Sequence, residues 1–178
     1  MGGRICKLAG RQRDYPPMPS VEQVIADYGP ALARIAGSYE RDRGLRDDLV
    51  QDIATAVWKA LPSLQDPAKL RPFVFRIAHN RSVSHVARQA ARPRSAELSE
   101  DLRDEGLDPE TRLVERERSR RLVEAVRRLS LPYRQVITLL LEDLSYEEIA
   151  ETLGLTVNNV GVRINRAKTQ LKVMLTDE

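Results

Sequence analysis

Cysteine is nearly absent from this chain: Cys6 is its single thiol in 178 residues, which excludes an internal disulfide framework. Aromatic side chains are scarce too, at 4%. A core must therefore be built from Leu, Ile, Val and Ala, a composition that favours helices over a sheet sandwich. No run approaches the roughly 18 consecutive apolar residues that a membrane helix needs, and the opening residues lack the apolar core of a secretory signal. The expected location is the cytoplasm, with no membrane partner. No nucleotide-binding loop and no nucleophile–base set is present, so neither catalysis nor a cofactor is expected. His79 and His85 stand six residues apart with no cysteine nearby, so they do not share a helix face and no metal site is expected.

Charge, by contrast, is plentiful, at 31% of residues, and the net value of +3 hides strong local segregation. Residues 1–17 carry Arg4, Lys7, Arg11 and Arg13 without sustained periodicity and read as a flexible basic tail; Met18 offers an alternative start. From Ser20 the apolar positions Val21, Val24, Ile25, Tyr28, Leu32 and Ile35 recur at helical steps, and Ser20 with Gln23 fits a capping box. Pro30 is expected to kink or divide this helix. A second helix is predicted over about Leu45 to Leu61 and a third over about Leu70 to Arg92, stopped by Pro93. Residues 93–112 are rich in Asp and Glu and poor in aliphatics, the pattern of an acidic flexible linker. Helical periodicity then resumes, with helices predicted at about 113–129, 133–142, 145–153 and 156–175. The fold class is all-α: two small helical domains, 18–92 and 113–178, on an acidic tether.

The clearest motif lies in the second domain. In Ser145-Tyr146-Glu147-Glu148 the serine can cap a helix while Glu148 reaches back to the Ser145 amide. Gly154 permits the left-handed conformation that ends that helix, Leu155 can plug the turn, and Thr156 caps the next. A helix, short turn and helix of this kind fits a DNA major groove. Val157, Val160, Ile164 and Leu171 can face inward. Asn158, Asn159, Arg163, Arg166 and Lys168 then remain for DNA: Asn and Arg pair with base edges, and Lys suits phosphates. From Val157 to Lys172 there are four basic residues and no acidic one. The helix before it, with Glu142, Asp143, Glu147, Glu148 and Glu151, should repel DNA and face a basic protein partner instead.

In the first domain, Arg71 to Ala96 holds six arginines and no Asp or Glu, with Phe73, Phe75, His79, Asn80, Ser84 and His85 interspersed. A basic helix with amide and aromatic groups nearby suits a single nucleic-acid strand, although Phe73 and Phe75 taken singly read as core. On the preceding helix Asp48, Asp52, Thr55 and Lys59 fall on one side at helical steps.

Taken together, these blocks resemble the extracytoplasmic-function (ECF) sigma factors of bacterial RNA polymerase. Asp48-Leu49-Val50-Gln51-Asp52 followed by Val57-Trp58-Lys59-Ala60-Leu61 is similar to sigma region 2.2, and Leu70 to Asn80 to the start of regions 2.3 and 2.4. Leu131 to Ile137, Leu144 to Ala150 and Val160 to Lys168 resemble region 4. The resemblance covers about Val21 to Leu175. It implies that Asp48, Gln51 and Asp52 dock on the clamp helices of core polymerase, and that Arg76, Asn80, Ser84, Arg88 and Arg92 take melted −10 promoter DNA. Asn158, Asn159, Arg163, Arg166 and Lys168 would take the −35 element, with region 4 also on the polymerase flap. The linker would thread the polymerase cleft.

The chain departs from the family pattern in four places. Leu45-Arg46-Asp47 replaces a more acidic run, Ala54 and Thr55 replace bulkier residues, Phe73 replaces a common tryptophan, and Gly161 stands where lysine is frequent. The first departure removes negative charge from the expected docking face. Phosphorylation of Thr55 by a Ser/Thr kinase would restore it, adding about −1.5 to −2 charge. An anti-sigma factor is the alternative regulator that the resemblance implies. The competing reading of the whole chain is a stand-alone helix-turn-helix regulator acting without polymerase.

Overall fold

The computed structural model describes residues 19–91 and 109–176, with side chains from residue 116 in the second segment. The basic tail, Arg92 and the acidic stretch to Asp108 lie outside the described residues. Seven α-helices are present among them: α1 (Val21–Tyr39), α2 (Arg43–Ala60), α3 (Leu70–Ala90), α4 (Pro109–Arg128), α5 (Leu131–Leu140), α6 (Tyr146–Leu153) and α7 (Val157–Thr176), with two short 3₁₀ turns between α2 and α3.

The helix starts follow local side-chain chemistry. At α1, Ser20 Oγ accepts from the Gln23 amide at 3.3 Å and Gln23 Oε1 accepts from the Ser20 amide at 2.9 Å, closing the anticipated capping box. Asp42 caps α2 through the Leu45 amide at 2.8 Å. Pro30 does not divide α1, which is helical on both sides of it. The ring sits on the exposed side, where water can reach the carbonyl left without a donor, while Val24, Ala31, Leu32 and Ile35 anchor the opposite side in the core. Helix α4 begins at Pro109, inside the stretch read as linker from composition.

Helices α1, α2 and α3 pack mutually, and α7 packs against α4, α5 and α6. Leu32, Ile35, Leu49, Ile53, Val57, Val74 and Phe75 fill the first module; Val126, Leu129, Val136, Leu139, Ile149, Val160 and Ile164 fill the second. The modules do not stand apart. Helix α1 packs on α4 and α5, α3 packs on α6, and the buried apolar residues of both join one cluster. Tyr39, at the end of α1, is buried at this seam, with the Arg134 guanidinium 5.7 Å above its ring. Arg127 of α4 donates to the carbonyls of Gly37 at 2.7 Å and Glu40 at 3.3 Å, satisfying the open end of α1 from the other module.

Candidate nucleic-acid interface

The helix-turn-helix forms as its sequence dictates. Ser145 Oγ accepts from the Glu148 amide at 3.1 Å and Glu148 Oε2 accepts from the Ser145 amide at 2.8 Å. Gly154 ends α6 at φ 66°, the left-handed region where a Cβ is costly. Thr156 Oγ1 then accepts from the Asn159 amide at 3.2 Å to start α7.

The inward stripe of α7 is Val160, Ile164, Ala167 and Leu171. Val157, expected inward, is 43% exposed. It stands on the first turn, and the buried stripe begins three residues later at Val160. Asn158, Asn159, Arg166 and Lys168 are exposed and Arg163 is half-buried. At about 100° per residue, Asn159, Arg163 and Arg166 fall together on one flank. Asn158 points away from the core, and Lys168 lies toward the other flank. Arg163, Arg166 and Lys168 form no ion pair among the described residues, so their charge is available to an anion. Gly161 faces α6: a Cβ built there would meet the Tyr146 ring at 3.7 Å. The lysine missing at this position therefore costs the outer face little.

On α3, Arg76, Asn80, Ser84 and Arg88 are exposed at four-residue steps, a stripe that drifts slowly around the helix. Asn80 and Ser84, with Ala56, Ala60, Ile77 and Arg81, line an open groove of about 380 Å³ between α2 and α3. Arg76 lies over the Phe73 ring, 5.8 Å from its centre. Phe75 is core, edge-on to Tyr28 at 5.9 Å. Both histidines turn inward, where each meets the end of α1. Nδ1 of His79 is 3.4 Å from the Tyr39 hydroxyl, and Nε2 of His85 is 2.6 Å from a Glu40 carboxylate oxygen. Burial pulls His79 down to about 4. Among the described residues no cluster of His, Cys, Asp or Glu could hold a metal ion.

Helix α2 presents Asp48, Gln51 and Thr55 to solvent. Asp52 turns toward α3, with its carboxylate oxygens 3.6 Å from Arg81 and 3.8 Å from Arg88. Arg46 does not discharge the outer face: it is buried, its Cδ 3.7 Å from where a Gly37 Cβ would stand. Trp58, part of the segment similar to sigma region 2.2, is a surface residue that the sequence did not mark as a site. It is 57% exposed on the face of Gln51 and Thr55, and its i+7 and i+3 spacing from them was the available signal.

Comparison with known proteins brings these surfaces together. Residues 24–92 match the family described as Sigma-70 region 2, and residues 119–171 match Sigma-70, region 4. The chain is 31% identical over 162 residues to the RNA polymerase sigma factor NccH of Alcaligenes xylosoxydans xylosoxydans, covering 86% of this chain and 85% of that protein. It is 29% identical to the ECF RNA polymerase sigma-E factor of Haemophilus influenzae, over 78% of this chain and 80% of that one. Among solved structures, that of CnrH in complex with the cytosolic domain of CnrY superposes with a TM-score of 0.66 at 29% identity, covering 89% of this chain and 88% of that one. CnrH is a sigma factor of Cupriavidus metallidurans.

Proposed function

The chain belongs to the extracytoplasmic-function sigma factors of the sigma-70 family, and on that premise we propose how its surfaces divide the work of directing RNA polymerase to promoters. Asp48, Gln51 and Trp58 on α2 dock on the clamp helices of core polymerase. An exposed tryptophan is among the residue types that most often anchor protein interfaces. The stripe Arg76, Asn80, Ser84 and Arg88, with Arg92 beyond it, takes the melted −10 strand. Extruding a base is cheapest where the duplex is already opening. The flank Asn159, Arg163 and Arg166 reads the −35 element, while Asn158 and Lys168 hold its backbone. Region 4 also seats on the polymerase flap, and residues 93–108 thread the polymerase cleft.

The observation that carries this reading is the unpaired cationic flank of α7, beside a buried stripe that fixes the helix on the core. A sigma factor is a transcription initiation factor and not an enzyme; the cytoplasm, where polymerase works, is its proposed location. Among the described residues no helix is long and apolar enough to cross a membrane.

Two modes of control remain as proposals. CnrH is seen in complex with the cytosolic domain of a second protein, which supports a protein partner, an anti-sigma factor, for this chain. Thr55, exposed on the docking face, supports a kinase: phosphate there would add negative charge beside Asp48.

Purified core polymerase, supplied with the protein and a promoter library, tests the function directly. Promoter-specific transcripts are expected. Duplex binding without initiation would favour a stand-alone regulator, a reading that leaves the match over residues 24–92 without a role.

A further inference from the structure

Within Leu45-Arg46-Asp47, the segment where the chain is less acidic than its family, Arg46 alone is buried, at 9% exposure. Its guanidinium makes no ion pair or hydrogen bond among the described residues. A charge taken so far out of water without a partner is costly, unless a counter-charge arrives from outside the chain.

The surroundings add positive charge. The Arg46 stem packs against the end of α1, its Cδ 3.7 Å from where a Gly37 Cβ would stand. Arg127 of α4 comes to the same glycine, its Nε donating to the Gly37 carbonyl at 2.7 Å. Arg127 also takes the Glu40 carbonyl at 3.3 Å, so these open carbonyls of α1 serve Arg127 and not Arg46. Arg41 reaches in from the turn before α2. Arg41 Nη1 and Arg127 Nη1 stand 3.8 Å and 3.3 Å from the two carboxylate oxygens of Glu124. Asp42 is the other acid close by, and its Oδ1 accepts from the Leu45 amide at 2.8 Å as the cap of α2. Burial holds the Arg127 guanidinium below its usual value, and repulsion from Arg46 and Arg41 adds to this against the pull of Glu124.

We propose that this corner of α1, α2 and α4 binds a small phosphate-bearing anion, with Arg46 as its inner donor, Arg41 at its outer edge and Arg127 beside it. A guanidinium presents paired N–H groups that match phosphate oxygens. Three cations against the Glu124 carboxylate leave two positive charges, which a dianion would balance. The Arg46 nitrogens keep contact with solvent, since none of them is an enclosed atom without a partner. The opening is narrow, so it suits a free anion better than a phosphate held within a nucleic-acid strand. Arg41, Arg46 and Arg127 belong to neither DNA surface proposed above, and the site stands independently of them.

The test titrates full-length protein with sodium pyrophosphate and with inorganic phosphate at pH 7.5, ionic strength being held constant with NaCl. Calorimetry should show saturable binding at one site per chain. The melting temperature should rise by about 3 °C or more at about tenfold excess over Kd. Arg46→Met keeps the apolar stem and removes the charge. It should bind neither anion, and in chloride alone it should melt no lower than wild type, because a buried unpaired charge is gone. Glu124→Gln removes the competing carboxylate and should bind both anions severalfold more tightly, a gain that misfolding cannot produce. A single-stranded oligonucleotide should bind wild type and Arg46→Met alike. A response that does not saturate, an equal response in Arg46→Met, or no tightening in Glu124→Gln would each overturn the site. Loss of oligonucleotide binding in Arg46→Met would also overturn it, by giving the arginine to nucleic acid instead.

Discussion

The Tyr39 hydroxyl and Nδ1 of His79 stand 3.4 Å apart, both side chains buried where the end of α1 meets α3. The same burial that pushes the tyrosine hydroxyl up holds the histidine near 4, so the imidazole stays neutral at physiological pH. An unfolded chain binds a proton at this residue as pH falls through 6.5, the ordinary histidine value, while the folded chain resists until about 4. Stability that His79 contributes above that window is therefore lost on acidification across it, by up to about 3 kcal/mol. Urea unfolding at pH 7.5 and pH 5 should show this loss, and His79→Gln should flatten it. A slope unchanged by the substitution would place the titration elsewhere.

Helix α7 should divide base reading from backbone holding. Asn159→Ala, Arg163→Ala and Arg166→Ala should each cost about 1–3 kcal/mol on a cognate −35 duplex and relax preference at one base pair. Lys168→Ala should weaken all sequences alike and lower the salt slope by about one. Fluorescence anisotropy against single-base variants, at two ionic strengths, separates these patterns.

Trp58 is exposed, so replacing it should leave folding within about 0.5 kcal/mol of wild type. As a docking anchor, Trp58→Ala should weaken core-polymerase binding by about 2 kcal/mol or more. Titration of labelled protein with core polymerase, alongside a thermal melt, measures both. Equal affinity would move docking to another face.

Two glycines should respond oppositely to the same change. Gly154 holds a left-handed backbone, and Gly154→Ala should destabilise by about 1–2 kcal/mol. Gly161 sits within α7 with ordinary contact distance to Tyr146, so Gly161→Ala should stabilise by about 0.5–1 kcal/mol. Thermal unfolding of both variants tests the pair.

Phosphorylation of Thr55 should raise polymerase affinity, and Thr55→Glu should follow it in part. Thr55→Ala should be indifferent to kinase treatment. Binding that is equal across all three proteins, treated and untreated, would remove the switch.

What the chain's order of residues determined by itself is local. Ser20 with Gln23, Ser145 with Glu148, and Gly154 each act within one turn of backbone, so the caps, the left-handed stop and the helix-turn-helix were all readable. Apolar periodicity likewise marked which side of each helix would be buried. It could not say what lies against the other side, because that depends on residues far along the chain. Only the packed structure turned Arg46 inward against Gly37, brought Asp52 close to Arg81 and Arg88, left Val157 and Trp58 in solvent, and carried α1 through Pro30. It also decided the partner of the acidic edge. Glu142 finds Arg34 across 108 residues, an encounter set by the shape of two modules and the screening of their charges, neither of which a helical period encodes.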